Sequence, residues 1–270
     1  MNKIQIETAI ARVLGDLLLE GIVDAATGSV ISDTELIFTE SGQLRGKDLY
    51  IHTGAVASSP QARTIASYLV GSLGVVPAFS PVPTIGDKYN IYDRYKHSDY
   101  SDAIDSAMRL ARLIHLIDYV GTLAIVATQW EYAVPSGFKY IQSLRIVPSV
   151  GTDYADDTAF GLDRNMWRVD SKVSGSRVIV FDPRFIDLDD YDDEIVLVSG
   201  QRKPIDFTVP TQNSEVPDDF LIMKAASIIA QRKLDSEADR ARYGVLVSEA
   251  SKLEKLVFRY AHPGSVLAME

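Results

Sequence analysis

The side chains of this sequence best able to do chemistry are its histidines, its carboxylates and one glycine-rich turn. The four histidines, His52, His97, His115 and His262, stand too far apart for any two to share the spacing of a metal pair. They read as surface or lightly buried groups, with His115, near an apolar helical stripe, as a hydrogen-bonded core residue. Gly42-Gln43-Leu44-Arg45-Gly46-Lys47-Asp48 resembles a phosphate loop but has three residues between its glycines, and Asp48 where a magnesium-binding Ser or Thr belongs. A hairpin turn accounts for it better. Ser174-Gly175-Ser176 reads as a turn and not as a nucleophile elbow. The densest carboxylates are Asp187, Asp189, Asp190, Asp192, Asp193 and Glu194, with a second group at Asp153, Asp156 and Asp157. Alternating carboxylates in a loop are a calcium chemistry, but the loop glycine and the twelve-residue spacing are missing. A solvated loop or an acidic interface is the expectation for both groups. With no cysteine, disulfides, thiolate metal sites and thiol nucleophiles are excluded. No catalytic residue, no cofactor and no structural metal is therefore expected.

At 270 residues, 46% hydrophobic and 24% charged, the chain can bury a full core as one large domain or two parts. Its 37 acidic against 27 basic residues give a formal charge of −10, which repels a phosphate backbone and disfavours a dedicated nucleic-acid binder. No stretch has the length and apolarity to cross a bilayer, and the first residues lack the basic-then-apolar order of a signal peptide, so a cytosolic origin is the expectation.

The elements that must position these residues fall into two kinds. Residues 3–24 read as an amphipathic helix through Ile6, Ile10, Val13, Leu14, Leu17 and Leu18, with Glu7 on another face. Ser101 is the expected N-cap of a helix over 102–117, apolar enough to suggest packing on several sides. Pro217 opens a helix to about Lys233, and Ser236 caps one to about Ala261. Short strand-like runs fill the rest, among them Asp48–Ile51, Tyr89–Tyr92, Thr122–Thr128, Tyr140–Pro148, Arg177–Phe181, Glu194–Val198 and Ile205–Val209. The expected fold is α+β: a helical bundle of N-terminal, central and two C-terminal helices (1–28, 98–120 and 214–270) carrying an inserted antiparallel β-sandwich or barrel (29–97 and 121–213).

Four segments then carry a likeness: Arg63-Thr64-Ile65-Ala66-Ser67-Tyr68, Pro83 to Ile91, the helix of Ala103, Ile104, Ala107 and Arg109, and Glu131-Tyr132-Ala133-Val134-Pro135-Ser136. Together with Val216-Pro217-Asp218-Asp219-Phe220-Leu221 they resemble neck proteins of tailed bacteriophages, the head–tail adaptors that sit on the portal ring. The likeness covers about half the chain, in pieces, and does not extend to residues 150–212. It implies a helical bundle with a β insertion, arranged as a ring commonly of twelve subunits. That ring would join the portal protein of the capsid to a tail or stopper protein in the virion neck. DNA would only pass through the lumen, and no enzyme activity or membrane partner is implied. The expected partner surface is the polar side of the C-terminal helices: Arg232, Lys233, Arg240, Arg242, Glu249, Lys252, Glu254 and Lys255. Neighbouring roles are a stopper, a tail terminator or a fibre-docking collar. The competing class is a carbohydrate-binding β-sandwich using Trp130 and Trp167 as stacking platforms.

Overall fold

The computed structural model describes residues 1–37, 42–53, 61–147, 159–172, 176–232, 234, 236–258, 261–262 and 265–267. The chain forms two compact units, Met1–Leu110 with Asp206–Val257, and Ala111–Ile205 with Phe258–Glu270. Each of the three sheets lies within one unit, and the boundary after Leu110 falls inside the helix His97–Ile114.

The expected helical bundle with an inserted β domain is overturned. Among the described residues the chain is mostly antiparallel sheet, fifteen strands in three sheets, with only four helices. The first departure comes early. Helix α1 (Lys3–Leu14) opens on a capping box between Asn2 and Gln5 but stops well short of residue 24. Gly15 adopts the left-handed conformation that ends helices, with φ 63°. Asp16 is fully buried and its carboxylate accepts hydrogen bonds from the Arg94 and Tyr95 N–H groups and from the Tyr100 hydroxyl. The chain turns there and continues as strand β1 (Leu17–Ile22), alternately half-buried and exposed. The run Leu17-Leu18-Leu19 suits either period, and strand pairing decides it.

The first unit is built on a seven-stranded sheet. Its further strands are β2 (Ala25–Ala26), β3 (Val30–Ser32), β4 (Asp48–Ile51), β5 (Gln61–Leu69), β6 (Ser72–Val76) and β7 (Lys88–Tyr92), in the order β1-β7-β4-β5-β6-β3-β2. β1 and β2 end this order on opposite sides, yet only Val23 and Asp24 separate them in sequence. Val23 N–H bonds the Asp87 carbonyl, extending the β1–β7 pairing, and Asp24 N–H bonds the Ser32 carbonyl beside β3. One bent segment thus serves both ends, and the sheet curls into a barrel. Its core holds Val23, Ile31, Leu49, Ile51, Ile65, Leu73, Val75, Tyr89 and Ile91. The closure is tight: the Tyr89 hydroxyl donates to buried Asp33 at 2.6 Å, and a Cβ on Gly21 would lie 2.4 Å from the Tyr89 ring. The Gly42–Lys47 turn leads into β4 with Leu44 buried in the same core.

Helix α2 (His97–Ile114) starts ahead of the expected N-cap, so Ser101 lies inside it. Tyr100, Ala103, Ile104, Ala107, Met108 and Ala111 form its buried side, a single face at i, i+3, i+4 spacing. Leu110 and Leu113 are exposed, 41% and 74%, so the helix is not packed on several sides as its composition suggests. Helices α3 (Asp218–Ala230) and α4 (Glu237–Val257) follow the expected positions; α1 packs on α3, and α3 on α4. No strand forms at Ile205–Val209.

The second unit is a two-sheet sandwich. One sheet has the order β11 (Phe160–Leu162), β10 (Tyr140–Val147), β14 (Ile195–Arg202), β8 (Ile117–Ala124), with β15 (Val266–Leu267) also on β10. The other has the order β12 (Trp167–Ser171), β13 (Arg177–Phe181), β9 (Glu131–Ala133). Phe138, Ile141, Leu144, Ile146, Val196 and Val198 share one core with Tyr132, Trp167, Ile179 and Phe181 from the facing sheet. The acidic segment 187–194 connects β13 to β14 and includes a short 3-10 turn, Asp189–Tyr191. Asp153, Asp156 and Asp157 lie outside the described residues.

Candidate functional site

Of the eight residues expected at a partner surface, Lys233 lies outside the described residues, and the other seven divide in two. Arg232 pairs with Asp99 at 2.6 Å, and Glu254 with Lys224 of α3 at 3.2 Å. Arg242 donates to the Leu14 carbonyl at 2.7 Å, a cation closing the C-terminal end of α1. These three serve contacts within the unit. Arg240, Lys252 and Lys255 face solvent, with Glu249 held against Lys252 at 2.5 Å.

α4 is fixed chiefly at its start. Ser236 and Asp239 form a reciprocal cap, and the Arg94 guanidinium forks onto the Asp239 carboxylate at 3.0 and 3.3 Å. The hydrogen bonds from Arg94 and then from Ser236 hold the Asp239 carboxyl down to about 2. Beyond that point the helix buries only Leu246, Ala250 and Val257, while Val245 is 62% and Leu256 77% exposed, with Val247 also exposed. The packing of α4 is therefore one-sided, against α3, and the opposite side is left to solvent.

The second locus was not legible as a site. Glu7, expected on another face of the first helix than its apolar stripe, is 2% exposed and accepts a hydrogen bond from the Tyr92 hydroxyl at 2.8 Å. His97 Nδ1 lies 2.7 Å from the same carboxylate, its ring stacked on Tyr50 with centroids 3.5 Å apart and its backbone N–H on Asp48. Asn90 donates to the Tyr92 hydroxyl and to Thr8 Oγ1, and its Oδ1 is 3.4 Å from His52 Nε2. Burial pushes His52 down from its ordinary range, and burial followed by the Glu7 charge pushes Tyr50 and Tyr92 up. The two histidines that look isolated in sequence are thus joined through Asn90, Tyr92 and Glu7. The available signal was the i, i+2 placement of Asn90 and Tyr92 on one strand face.

Two cavities of the first unit flank this network. One of about 600 Å³ is lined by Ile4, Thr8, Arg12, Ile22, His52 and Asn90, and one of about 170 Å³ by Lys3, Glu7, Tyr50, His97 and Ser101. Glu7 orients His97 as a carboxylate orients a catalytic base; Ser101 lines the same cavity, and among the described residues no hydrogen bond joins it to His97. The network ties α1 to β7 and α2. Elsewhere, Trp167 is 3% exposed beneath the Arg164 guanidinium, 3.8 Å from the ring centroid, which removes it as an open stacking platform; Trp130 is partly buried. Among the described residues no group of three or more His, Asp or Glu side chains is placed to hold a metal ion, and no helix is long and apolar enough to cross a membrane.

No protein-family model matches the chain, and no curated protein matches it in sequence.

Proposed function

We propose that this chain is a non-enzymatic structural subunit of the neck of a tailed bacteriophage, forming with copies of itself a ring between the portal protein and the tail or stopper protein. The correction of the fold removes the support a helical bundle would have lent. What supports the role is α4: a 21-residue helix anchored by Arg94, Arg242 and its own cap, with Val245, Val247 and Leu256 left in solvent beside Arg240, Lys252 and Lys255. Exposed apolar groups rimmed by charge are the composition of a surface that docks another protein. The likeness at Arg63–Tyr68, Pro83–Ile91 and Glu131–Ser136 adds the class of partner.

The test is made on particles. Purified virions imaged by electron microscopy are expected to show this chain in a cyclic collar against the portal. Val245→Asp with Leu256→Asp is expected to leave the chain folded and soluble while giving DNA-filled heads without tails. Virions that lack the chain altogether would refute the role.

A further inference from the structure

We infer that the second unit makes the lateral contact of such a ring by continuing its larger sheet, with the outer edge of β8 taking the β11 and β15 edge of a second copy as its next strands. This rests on the ring role proposed above, and it names the surface through which copies meet.

β8 ends its sheet, and among the described residues no strand pairs with its outer side. Its register against β14 runs unbroken from Ile117↔Arg202 to Ala124↔Ile195. Ile125 N–H bonds the Glu194 carbonyl, so by antiparallel alternation Ile117, Tyr119, Gly121 and Leu123 direct their backbone groups to β14. Val120, Thr122 and Ala124 direct theirs outward, and these have no hydrogen-bond partner among the described residues. At about 3.3 Å per residue, eight residues make an edge of roughly 26 Å. Proteins usually blunt such an edge with proline, a bulge or inward charge. β8 has no proline and no bulge, and its one charge, Asp118, stands near its beginning, 2.9 Å from His262. Val120, half exposed, sits in the middle.

Backbone donors and acceptors in this arrangement accept one kind of partner, an extended strand. The opposite edge of the same sheet fits in polarity. β11 and β15 run antiparallel to β10, β10 antiparallel to β14, and β14 antiparallel to β8. A copy placed head to tail therefore sets its β11 and β15 antiparallel to β8, and the alternation continues without interruption. β15 pairs at Tyr140 and Ile141 and β11 at Leu144 to Ile146; the Leu267 carbonyl of β15 already accepts from Arg177 at 3.1 Å, so β11 offers the freer part of this edge. Gly161 on β11, exposed and without a side chain, lies on the same face of the sheet as Thr122 through the pairs Gly161↔Arg145, Arg145↔Leu197 and Leu197↔Thr122, so this edge can be approached closely there. The two edges differ, so the contact is heterologous, the type that repeats into a ring and does not stop at a pair.

The cysteine-free sequence makes the test clean, since every thiol is an introduced one. Thr122→Cys and Val120→Cys are each combined with Gly161→Cys, which shares their face of the sheet, and the concentrated chain and the virions are mildly oxidised. The expected result is a ladder of disulfide-linked oligomers from at least one pair, with no product from the single variants. Val120→Pro removes no bond to β14 and is expected to keep the circular dichroism of the parent but abolish the ladder. Dimers from Thr122→Cys alone would show a two-fold β8–β8 contact and overturn the inference. A collar present in virions without any cross-link would overturn it while leaving the ring role standing. Absence of the chain from virions would refute the ring role, and a ladder from the purified chain would still uphold the edge contact.

Discussion

In the first unit the two ends of the sheet meet on one bent segment, residues 17–26, with Tyr89 and Asp33 bonded beside Gly21. In the second, no strand among the described residues pairs with the outer side of β8 at one end, or of β11 and β15 at the other. Both are antiparallel sheets with well-filled cores. What separates them is the fate of the terminal strands: curling joins them in one case, and sandwich packing covers the faces but leaves the edges in the other. A closed sheet contributes rigidity to its own unit, whereas an open one retains backbone bonding capacity for another chain.

The largest expected effect breaks the closed half. Gly21→Val puts side-chain carbon into the space held by the Tyr89 ring and the Asp33 carboxylate, and both overpacking and loss of the buried hydrogen bond follow. A loss of about 2–5 kcal/mol is expected. Hydrogen exchange should rise in β1, β4 and β7; unchanged protection there would mean that the ends of the sheet are not joined. Tyr89→Phe is a milder probe of the same closure. It leaves Asp33 with the Glu35 N–H at 2.8 Å as a remaining partner, so a loss of about 1–3 kcal/mol in urea unfolding is expected. A variant as stable as the parent would show that packing alone holds the closure.

The smallest effect contrasts the units by acid titration. Burial, opposed by the hydrogen bond from Tyr100, raises the Asp16 carboxyl of the first unit, so its neutral form favours the fold. That contribution is complete below the ordinary carboxylate value of 3.8 and is lost as pH rises through the raised value. Asp182 of the second unit is held down to about 2 by the Arg184 side chain, so its contribution is present above 3.8 and lost as pH falls toward 2. Carbon-13 titration of the two carboxyl groups should give opposite shifts from 3.8. Asp16→Asn should also flatten the decline in stability above that pH. Coincident titration of the two groups would remove the contrast.

The strands were the legible part of the fold, because runs such as Asp48–Ile51 and Arg177–Phe181 alternate or concentrate β-branched and aromatic residues between turns, and both form strands at those bounds. The helix ends and the relation of helices to sheets were not. Leu17-Leu18-Leu19 continues the helical stripe of α1 as well as it starts a strand, and the stop at Gly15, the buried Asp16 and the pairing with β7 distinguish the two. On α2, Leu110 and Leu113 belong to the apolar composition but not to the buried face, and composition alone suggested a bundle centre that is absent. The burial of Glu7 was hidden for a related reason. A carboxylate on a helix reads as solvent-facing unless its partners are visible, and Tyr92 and His97 lie 85 and 90 residues away. On α4 the charges were legible, but which of them serve the unit itself depended on Leu14, Lys224 and Asp99, distant in sequence.

The bond from Arg242 to the Leu14 carbonyl spans 228 residues, and it sets a timetable for the nascent chain. A ribosome adding roughly 5–20 residues per second needs on the order of 10–45 seconds to travel that far. Throughout that interval Ile6 and Ile10 of α1 wait for α3, which has yet to be made, while the strands of the second unit from β8 to β14 leave the tunnel complete. Helix α1, made before these strands, is therefore sheltered after them, and early encounters with chaperones should centre on α1 and not on the later-made sandwich strands.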